Sequence, residues 1–315
     1  MVITSRAPVR VDFAGAWTDV NIFARGAGGA VVNATIDKYV HGRLEVFETP
    51  DTGIAPDEGI RVTYWCDLPS GSGLGTSAAL NVCWLSLIQS QVNPDLKQKE
   101  RIADLAYKLE EILGILGGKQ DQYAAAVGGF SYLTFHEEVE VERLPIAPGM
   151  LAELEQRLVL CYTGKSRLSS NIHEEVWDAF RRGVPATVNA LYDLRNCAVR
   201  MRTVIKKEDV EEFGELIGQS WRHQKALAES VTNEQIENLF DIASRAGARH
   251  GKACGAGGGG CLLFFAEPGR KASVSEALER AGVRVIPFRF EFEGLQVSMG
   301  DRQSEAGNPA SAAGS

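Results

Sequence analysis

The chain has 315 residues, of which 44% are hydrophobic and 23% charged, a composition typical of a soluble globular protein with room for two domains. Lysine and arginine number 33 against 41 aspartate and glutamate, a formal net charge of −8. This balance disfavours nucleic acid or an anionic membrane as the main partner, although a local basic pocket is compatible with it. No apolar run approaches the roughly 20 residues of a membrane span. Six cysteines without a CxxC pair predict reduced thiols in a cytoplasmic protein.

The first half of the chain is predicted to contain short strands and then long helices. Alternating apolar residues predict strands at 9–13, 28–36, 40–47, 60–64, 130–135 and 139–144. Helices are predicted from Ser77 to about Gln91 and from Asn93-Pro94-Asp95 to about Gly117. This order of elements favours an α+β domain over a doubly wound sheet.

A cluster of Pro and Gly at 145–149 predicts a boundary between an N-terminal unit, 1–148, and a C-terminal unit, 149–300. The C-terminal unit is predicted to begin with a strand at 157–163, followed by three or four helices that end with one at about 233–250. A helix at 272–281 and a strand near 283–290 complete it. The tail at 301–315 is small and polar and is predicted to be disordered.

The segment PSGSGLGTSAAL, from Pro69 to Leu80, places three alternate glycines directly before an apolar helical pattern. Glycines allow several backbone N–H groups to approach one anion, and the helix that follows adds free N–H donors and its positive dipole end. Ser77 is positioned to cap that helix or to bind a metal carried by a phosphate. The segment therefore predicts a nucleotide-phosphate cradle, with a flexible Gly/Ser turn as the alternative.

Two better-known glycine motifs do not describe this segment. It contains no Lys, which a Walker A loop requires, and its glycine spacing differs from the dinucleotide fingerprint. A second run, Gly255 to Gly260, matches the letters of that fingerprint, but a helix precedes it and a strand follows it, which is the wrong order. We expect this run to approach a ligand or the first glycine loop closely, with a loose turn as the alternative.

Several polar residues are candidates for chemistry. Asp121 follows a Gly-Gly turn that can project its carboxylate into a cleft, and Glu110, on the preceding helix, is a candidate Mg²⁺ ligand. The residues alone favour a helix cap and a solvated surface position for these two. Trp17-Thr18-Asp19 is either a sugar-binding turn or a packed turn, and the donor-rich segment 163–170 either holds an anionic group or caps a helix. His173-Glu174-Glu175 lacks the second His of a zinc helix.

Three motifs in this order resemble those of the GHMP small-molecule kinases, which include galactokinase and the homoserine, mevalonate and phosphomevalonate kinases. They are RAPVRVDFAGAWTDV, PSGSGLGTSAA and KACGAGGGGCLLFF, and the resemblance covers about residues 5–295. It implies an α+β fold in which a domain of the ribosomal-protein-S5 domain 2 type and a ferredoxin-like C-terminal domain have the site between them. The first motif and GGKQDQYAAAVGGF are most similar to the kinases of D-glycero-D-manno-heptose 7-phosphate and of L-fucose.

The resemblance also implies a role for each matched position. Asp121 matches the carboxylate taken as catalytic base, and Arg10 matches the residue that favours its ionised form. Ser77 and Glu110 would hold Mg²⁺, and Trp17 to Asp19 (Trp17, Thr18 and Asp19) would bind the sugar. The implied ATP-binding positions are Pro69, Gly71, Ser72, Gly73, Leu74, Gly75, Thr76, Ser77, Gly257 and Gly258.

The function implied by the resemblance is an ATP- and Mg²⁺-dependent sugar kinase that phosphorylates an anomeric hydroxyl, with D-glycero-D-manno-heptose 7-phosphate as the leading substrate. An L-fucose-type kinase, a kinase of another small alcohol and a catalytically inactive ligand-binding relative are the alternatives. Galactokinases carry Glu-His where this chain has Ala16-Trp17, which disfavours galactose. A phosphorylated substrate requires a cationic pocket, for which Lys165 and Arg167 are the candidates. The expected partner is a small sugar or sugar phosphate, and a homodimer is left open.

Overall fold

The computed structural model describes residues 1–48, 58–69, 71–89, 92–164 and 169–300. The predicted tail at 301–315, the pocket candidates Lys165 and Arg167, and the last residues of the helix predicted to reach Gln91 lie outside these ranges. Across the described ranges, no helix combines the length and the apolar character that crossing a membrane requires.

The strands of the described residues form two antiparallel sheets. The strands are β1 Val2–Ala14, β2 Gly29–Glu48, β3 Glu58–Cys66, β4 Phe130–Phe135, β5 Val139–Arg143, β6 Leu158–Tyr162, β7 Ala248–Ala253, β8 Cys261–Ala266, β9 Arg284–Ile286 and β10 Gln296–Gly300. The first sheet has the order β10-β1-β2-β4-β5, with β3 also paired to β2, and the second has the order β7-β8-β6-β9. The sheets confirm the mixed α+β fold class.

The described residues also form ten α-helices. They are α1 Asn21–Ala27, α2 Thr76–Gln89, α3 Leu96–Ile112, α4 Gln120–Val127, α5 Pro148–Arg157, α6 Ser169–Arg181, α7 Pro185–Lys207, α8 Val210–Lys225, α9 Glu234–Ala246 and α10 Lys271–Arg280. The sequence pattern did not predict α1 or α5. Pro148 was interpreted as a boundary signal, but it occupies the first turn of α5, where a missing N–H costs no helical hydrogen bond.

The strand pair β1–β2 carries the first motif into the centre of the fold. The two strands pair from Val2 opposite Glu45 to Ala14 opposite Val32, with a register shift between Pro8 and Val9. Proline has no N–H to give to the ladder, which is consistent with an irregularity at this point. The strands predicted separately at 28–36 and 40–47 form one continuous strand, β2, in the structure.

The two halves of the chain share one core. Phe13 of β1 packs at 5.9 Å from the ring of Phe130 in β4 and at 4.9 Å from the ring of Phe213 in α8. All three rings are fully buried, so helix α8 of the second half closes the same apolar layer as the first sheet.

The chain returns to the first sheet at its last described strand. β10 pairs with β1, from Val2 opposite Gly300 to Arg6 opposite Gln296, although no strand was predicted there. The strand predicted near 283–290 is shorter, at 284–286, and Phe290 instead forms an isolated bridge to Ile36 of β2. The division into 1–148 and 149–300 stays a prediction, and the first sheet takes its strand 296–300 from the second of these units.

Candidate active site

A cavity of about 290 Å³ opens where β1, the starts of α2 and α4, and the turn after β7 meet. Most of the residues singled out from the sequence surround it. Those that line it are Arg10, Trp17, Asp19, Gly71, Gly73, Gly75, Thr76, Ser77, Glu110 and Asp121. The structure therefore brings together residues from three separate motifs, and also adds His173 of α6.

The glycine loop 71–75 presents its glycines to the cavity and anchors the residues between them. Gly71, Gly73 and Gly75 have φ of 72°, 74° and 77°. A residue with a Cβ would be strained in this left-handed conformation, which explains why glycine alternates along the loop. Leu74 is fully buried, and its carbonyl accepts a hydrogen bond from the Arg10 N–H at 3.1 Å. The loop runs directly into α2, so its amides and the helix N-terminus form a cradle for an anion.

Pro69 precedes this loop, and the cavity-lining residues do not include it. Ser72 is also buried away from the lining, and its carbonyl accepts the N–H of Cys261 at 2.7 Å. We expect these two positions to support the loop through backbone contacts and not through their side chains.

Asp121 lies in the first turn of α4 and is held by Arg10. The Arg10 Nε donates to Oδ1 at 2.7 Å and its second guanidinium nitrogen donates to Oδ2 at 2.9 Å. Burial by itself lowers the pKa of Arg10, but Asp121 and Asp12 outweigh it and the pKa is raised. The guanidinium is therefore permanently charged, and it fixes a carboxylate that is 25% exposed towards the cavity.

The same arginine ties Asp121 to the glycine loop. Another Arg10 nitrogen donates to the Gly73 carbonyl at 2.7 Å. A Cβ on Gly75 would lie 3.1 Å from the Asp121 carboxyl carbon, so the carboxylate packs against the loop. Asp121 thus stands between the anion cradle and the rest of the cavity.

Glu110 has the environment of a cation ligand. It is only 6% exposed, and its oxygens accept hydrogen bonds from Asn81 at 2.8 Å and from Gln122 at 2.7 Å. Burial, and then the charge of Asp121, raise the pKa of Glu110 to about 7. Ser77 lies one helical turn before Asn81, so its hydroxyl shares the helix face that touches Glu110. These oxygen atoms suit Mg²⁺. One or two protein oxygens are enough to hold this ion when phosphate oxygens and water complete its coordination shell.

Asp19 lies beside the start of α4. Its Oδ2 accepts the Gln120 N–H at 3.0 Å, and a Cβ on Gly118 would collide with the carboxylate, so the Gly-Gly turn is needed for this approach. Burial raises the pKa of Asp19 to about 6, although the Gln120 hydrogen bond opposes the increase. The side chain is 2% exposed and lines the cavity, which suits it to accept hydrogen bonds from hydroxyls.

Thr18 differs from its neighbours in this turn. It is fully buried, its hydroxyl donates to the Gly15 carbonyl at 2.8 Å, and it accepts the Ala30 N–H at 3.1 Å. The cavity-lining residues do not include it. We therefore correct its assignment from substrate contact to a support that holds the turn against β2.

The second glycine run packs on the first loop through its two ends, Gly255 and Gly260. A Cβ on Gly255 would lie 2.9 Å from the Gly73 carbonyl, and one on Gly260 would lie 2.8 Å from the Ser72 carbonyl. Gly257 instead packs against Val231, whose carbonyl accepts the Gly258 N–H at 2.7 Å. Gly255 and Ala256 line the cavity, so contacts with ATP are better expected from them than from Gly257 or Gly258.

A buried ion pair that the sequence analysis missed joins the first and third motifs. Lys252 and Asp12 are both 0% exposed and form a salt bridge. The other Asp12 oxygen accepts the Gly255 N–H at 3.1 Å and lies 3.6 Å from an Arg10 nitrogen. Asp12 stands two residues after Arg10 on a strand, so the period-2 pattern already put the two side chains on one face.

Comparison with known proteins agrees with this arrangement. The GHMP kinases N terminal domain model matches residues 38–129, and the GHMP kinases C terminal model matches residues 201–284. The D-glycero-alpha-D-manno-heptose 7-phosphate kinase of Campylobacter jejuni is 32% identical to this chain over 93% of the chain and 98% of that protein. The bifunctional fucokinase/GDP-fucose pyrophosphorylase of Arabidopsis thaliana is 27% identical over 84% of this chain and 30% of its own length.

Solved structures have the same fold. The crystal structure of a D-glycero-D-manno-heptose 1-phosphate kinase from Bacteroides thetaiotaomicron aligns with a TM-score of 0.72 at 26% identity, over 95% of this chain and 99% of the other. A galactokinase from Lactococcus lactis in complex with galactose aligns with a TM-score of 0.68 at 18% identity, over 94% and 95% of the two chains, and supports the fold alone. Together with the two family models, these likenesses show that the chain belongs to the GHMP kinase family and is an ATP-dependent phosphotransferase.

Proposed function

We propose that this kinase transfers the γ-phosphoryl group of ATP to the anomeric hydroxyl of D-glycero-D-manno-heptose 7-phosphate. The observation that carries the chemistry is the Arg10–Asp121 pair, which stands in the cavity between the glycine loop and Asp19. The substrate assignment is supported by the similarity to a kinase named for this sugar phosphate, which extends over 98% of that protein. Trp17 and Asp19, which line the same cavity, suit a polyol.

In this reaction Asp121 orients the acceptor hydroxyl and takes its proton as the sugar oxygen bonds to the γ-phosphorus and ADP leaves. Arg10 fixes the orientation of the Asp121 carboxylate through its two hydrogen bonds. The amides of the glycine loop and the N-terminus of α2 stabilise the negative charge on the transferring group, which is the largest contribution in phosphoryl transfer.

Ser77 and Glu110 would hold Mg²⁺ beside the phosphates. When bound, the ion would neutralise charge on the phosphate oxygens. Glu110 suits this role because its pKa is raised to about 7, so that its ionised form is unfavourable until a nearby cation stabilises it. Asn81 and Gln122 orient its two oxygens.

The 7-phosphate of the substrate requires a cationic group on the sugar side of the cavity. Arg10 is committed to Asp121, so we assign the 7-phosphate to Lys165 and Arg167, which lie in the chain between β6 and α6. This segment directly precedes the helix that carries His173 into the cavity. The assignment predicts that the 7-phosphate is needed for tight binding.

The experiment is ADP release with ATP and Mg²⁺ against D-glycero-D-manno-heptose 7-phosphate, L-fucose, galactose and mevalonate. We expect strong turnover with the heptose phosphate, lost in Arg167→Ala and kept in Arg181→Ala, an exposed arginine on the outer part of α6. Turnover on L-fucose alone would retain the sugar kinase and reject the phosphate pocket. Absence of turnover on every alcohol, with ATP still bound, would instead favour a ligand-binding relative.

A further inference from the structure

His173 reaches the cavity from the second half of the chain. It lies in α6, in the His-Glu-Glu triplet that the sequence analysis tested only as a zinc motif, and it lines the same cavity as Trp17 and Asp19. Its ring packs against the Trp17 ring at a centroid distance of 4.5 Å, with the two ring planes tilted by 35°. The residue therefore belongs to the cavity wall beside Trp17, and none of the steps above uses it.

The hydrogen bonding of His173 defines which nitrogen carries the proton. Trp177, one turn later in α6, donates its indole N–H to Nδ1 at 3.3 Å. Burial lowers the pKa of His173 to about 4, so the ring is neutral at neutral pH. With Nδ1 occupied as an acceptor, the proton is on Nε2, which has no acceptor among the described residues.

Trp17 supplies a second unused donor beside the first. Its indole N–H is buried and has no partner in the described part of the chain. Its backbone φ is 82°, which is strained for an aromatic residue and is the kind of conformation that persists at ligand sites. A buried N–H without a partner costs stability unless a ligand accepts from it.

We propose that His173 is a specificity-determining residue whose Nε2–H, together with the indole N–H of the neighbouring Trp17 ring, donates to hydroxyl oxygens of the bound sugar. The proposal rests on the proposed function in that it deepens the recognition of the same sugar substrate. Asp19 accepts from hydroxyls, whereas this ring pair donates to them. A substrate must therefore combine several hydroxyls with an apolar ring face, which excludes short carboxylic alcohols.

The recognition is most selective against analogues that lack the accepting oxygen. A site built to hydrogen-bond a hydroxyl rejects the deoxy analogue because its buried donors are left unpaired. We expect a change at His173 to weaken the binding of the sugar and not of ATP, because His173 packs against Trp17, whereas the phosphates of ATP are assigned to the glycine loop.

Two amide substitutions at His173 distinguish the contribution of Nε2 from that of Nδ1. In His173→Gln the amide N–H reaches the position of Nε2, whereas in His173→Asn the amide replaces Nδ1 alone. We expect His173→Asn and His173→Phe to raise the KM for the sugar roughly tenfold, with the KM for ATP unchanged. His173→Gln should restore most of the affinity. His223→Phe on α8, whose imidazole pairs with Asp193 outside the cavity, is the matched control.

The proposal is overturned if the Gln and Asn variants have the same KM for the sugar, because a merely structural histidine would not distinguish them. The same ranking is measured without turnover by calorimetric titration of the heptose phosphate in the absence of ATP. Wild-type turnover without a difference between these variants overturns this inference and leaves the proposed function standing. Absence of both turnover and binding in the wild-type protein overturns both.

Discussion

The two sides of the cavity are constructed in different ways. The phosphate side, formed by the glycine loop 71–75 and the start of α2, uses backbone amides that follow one another in the chain. The sugar side, formed by Trp17, Asp19 and His173, uses side chains from segments more than a hundred residues apart. The proposed anion cradle thus depends on local glycine spacing, whereas the proposed sugar site depends on how distant segments pack.

The largest effect is expected at the ion pair that fixes the second glycine run against the phosphate side. Lys252→Met removes the lysine partner of the buried Asp12 carboxylate and leaves it the Gly255 N–H and the more distant Arg10, and we expect a loss of about 3–5 kcal/mol in the free energy of unfolding. Urea denaturation measures it. Asp12→Asn combined with Lys252→Met should lose less than the two single variants together. Additive losses would show that the two residues act independently.

The next largest effect is expected at Asp121, where a substitution separates the chemical step from nucleotide binding. Asp121→Asn removes the proton acceptor but retains a polar group for Arg10, so we expect kcat to fall by roughly 10²-fold or more with nucleotide affinity largely kept. Steady-state kinetics and nucleotide titration measure the two quantities. Asp104→Asn on α3, whose carboxylate pairs with Lys108, is the control. Near-normal turnover in Asp121→Asn would remove Asp121 from the base role.

A third prediction tests whether close packing of the two glycine runs matters beyond backbone strain. Gly73 and Gly114 have similar φ, 74° and 72°, but a Cβ on Gly73 would lie 2.7 Å from the Cys254 carbonyl, whereas one on Gly114 meets nothing within 4 Å. Both alanine variants should lose roughly 1–2 kcal/mol of stability through strain. Only Gly73→Ala should also raise the KM for ATP. Equal kinetic effects would mean that the contact between the runs does not shape the cradle.

The last prediction concerns the pH dependence of stability at Glu110, on the phosphate side. Because the folded pKa of Glu110 is about 7, its protonated form stabilises the fold below the ordinary glutamate pKa, and this contribution is lost as the pH rises through about 7. Without Mg²⁺, Glu110→Gln should therefore be more stable than the wild type by about 1–3 kcal/mol at about pH 8 and similar to it at about pH 4.

Thermal unfolding with and without Mg²⁺ and nucleotide measures this difference. Adding Mg²⁺ with ADP should stabilise the wild type more than the variant at the higher pH. An equal response of both proteins to the metal would contradict the assignment of Glu110 as a ligand.

The sequence predicted the phosphate side better than the sugar side for a physical reason. The alternate glycines and the helix start, predicted at Ser77 and found at Thr76, are local patterns with direct backbone consequences. The Asp12–Lys252 pair joins positions 240 residues apart, and no spacing rule connects them. His173 was found only because α6 folds back over the turn that carries Trp17.

Two elements of the fold, α5 and β10, were not predicted from the sequence, each for a different reason. α5 was missed because Pro148 suits a helix start as well as a domain boundary. β10 was missed because an edge strand gains its hydrogen bonds from β1, at the other end of the chain. For β10 the partner strand, and not the segment itself, determines the structure.

The most direct test of the central claim is phosphorus NMR of the product formed from ATP and D-glycero-D-manno-heptose 7-phosphate. Transfer to the anomeric hydroxyl predicts a second sugar-phosphate resonance coupled to the anomeric proton, with the 7-phosphate resonance retained. The resonance should be absent with Asp121→Asn over the same reaction time. A new phosphate on any other carbon, or release of inorganic phosphate without a sugar product, would contradict the account.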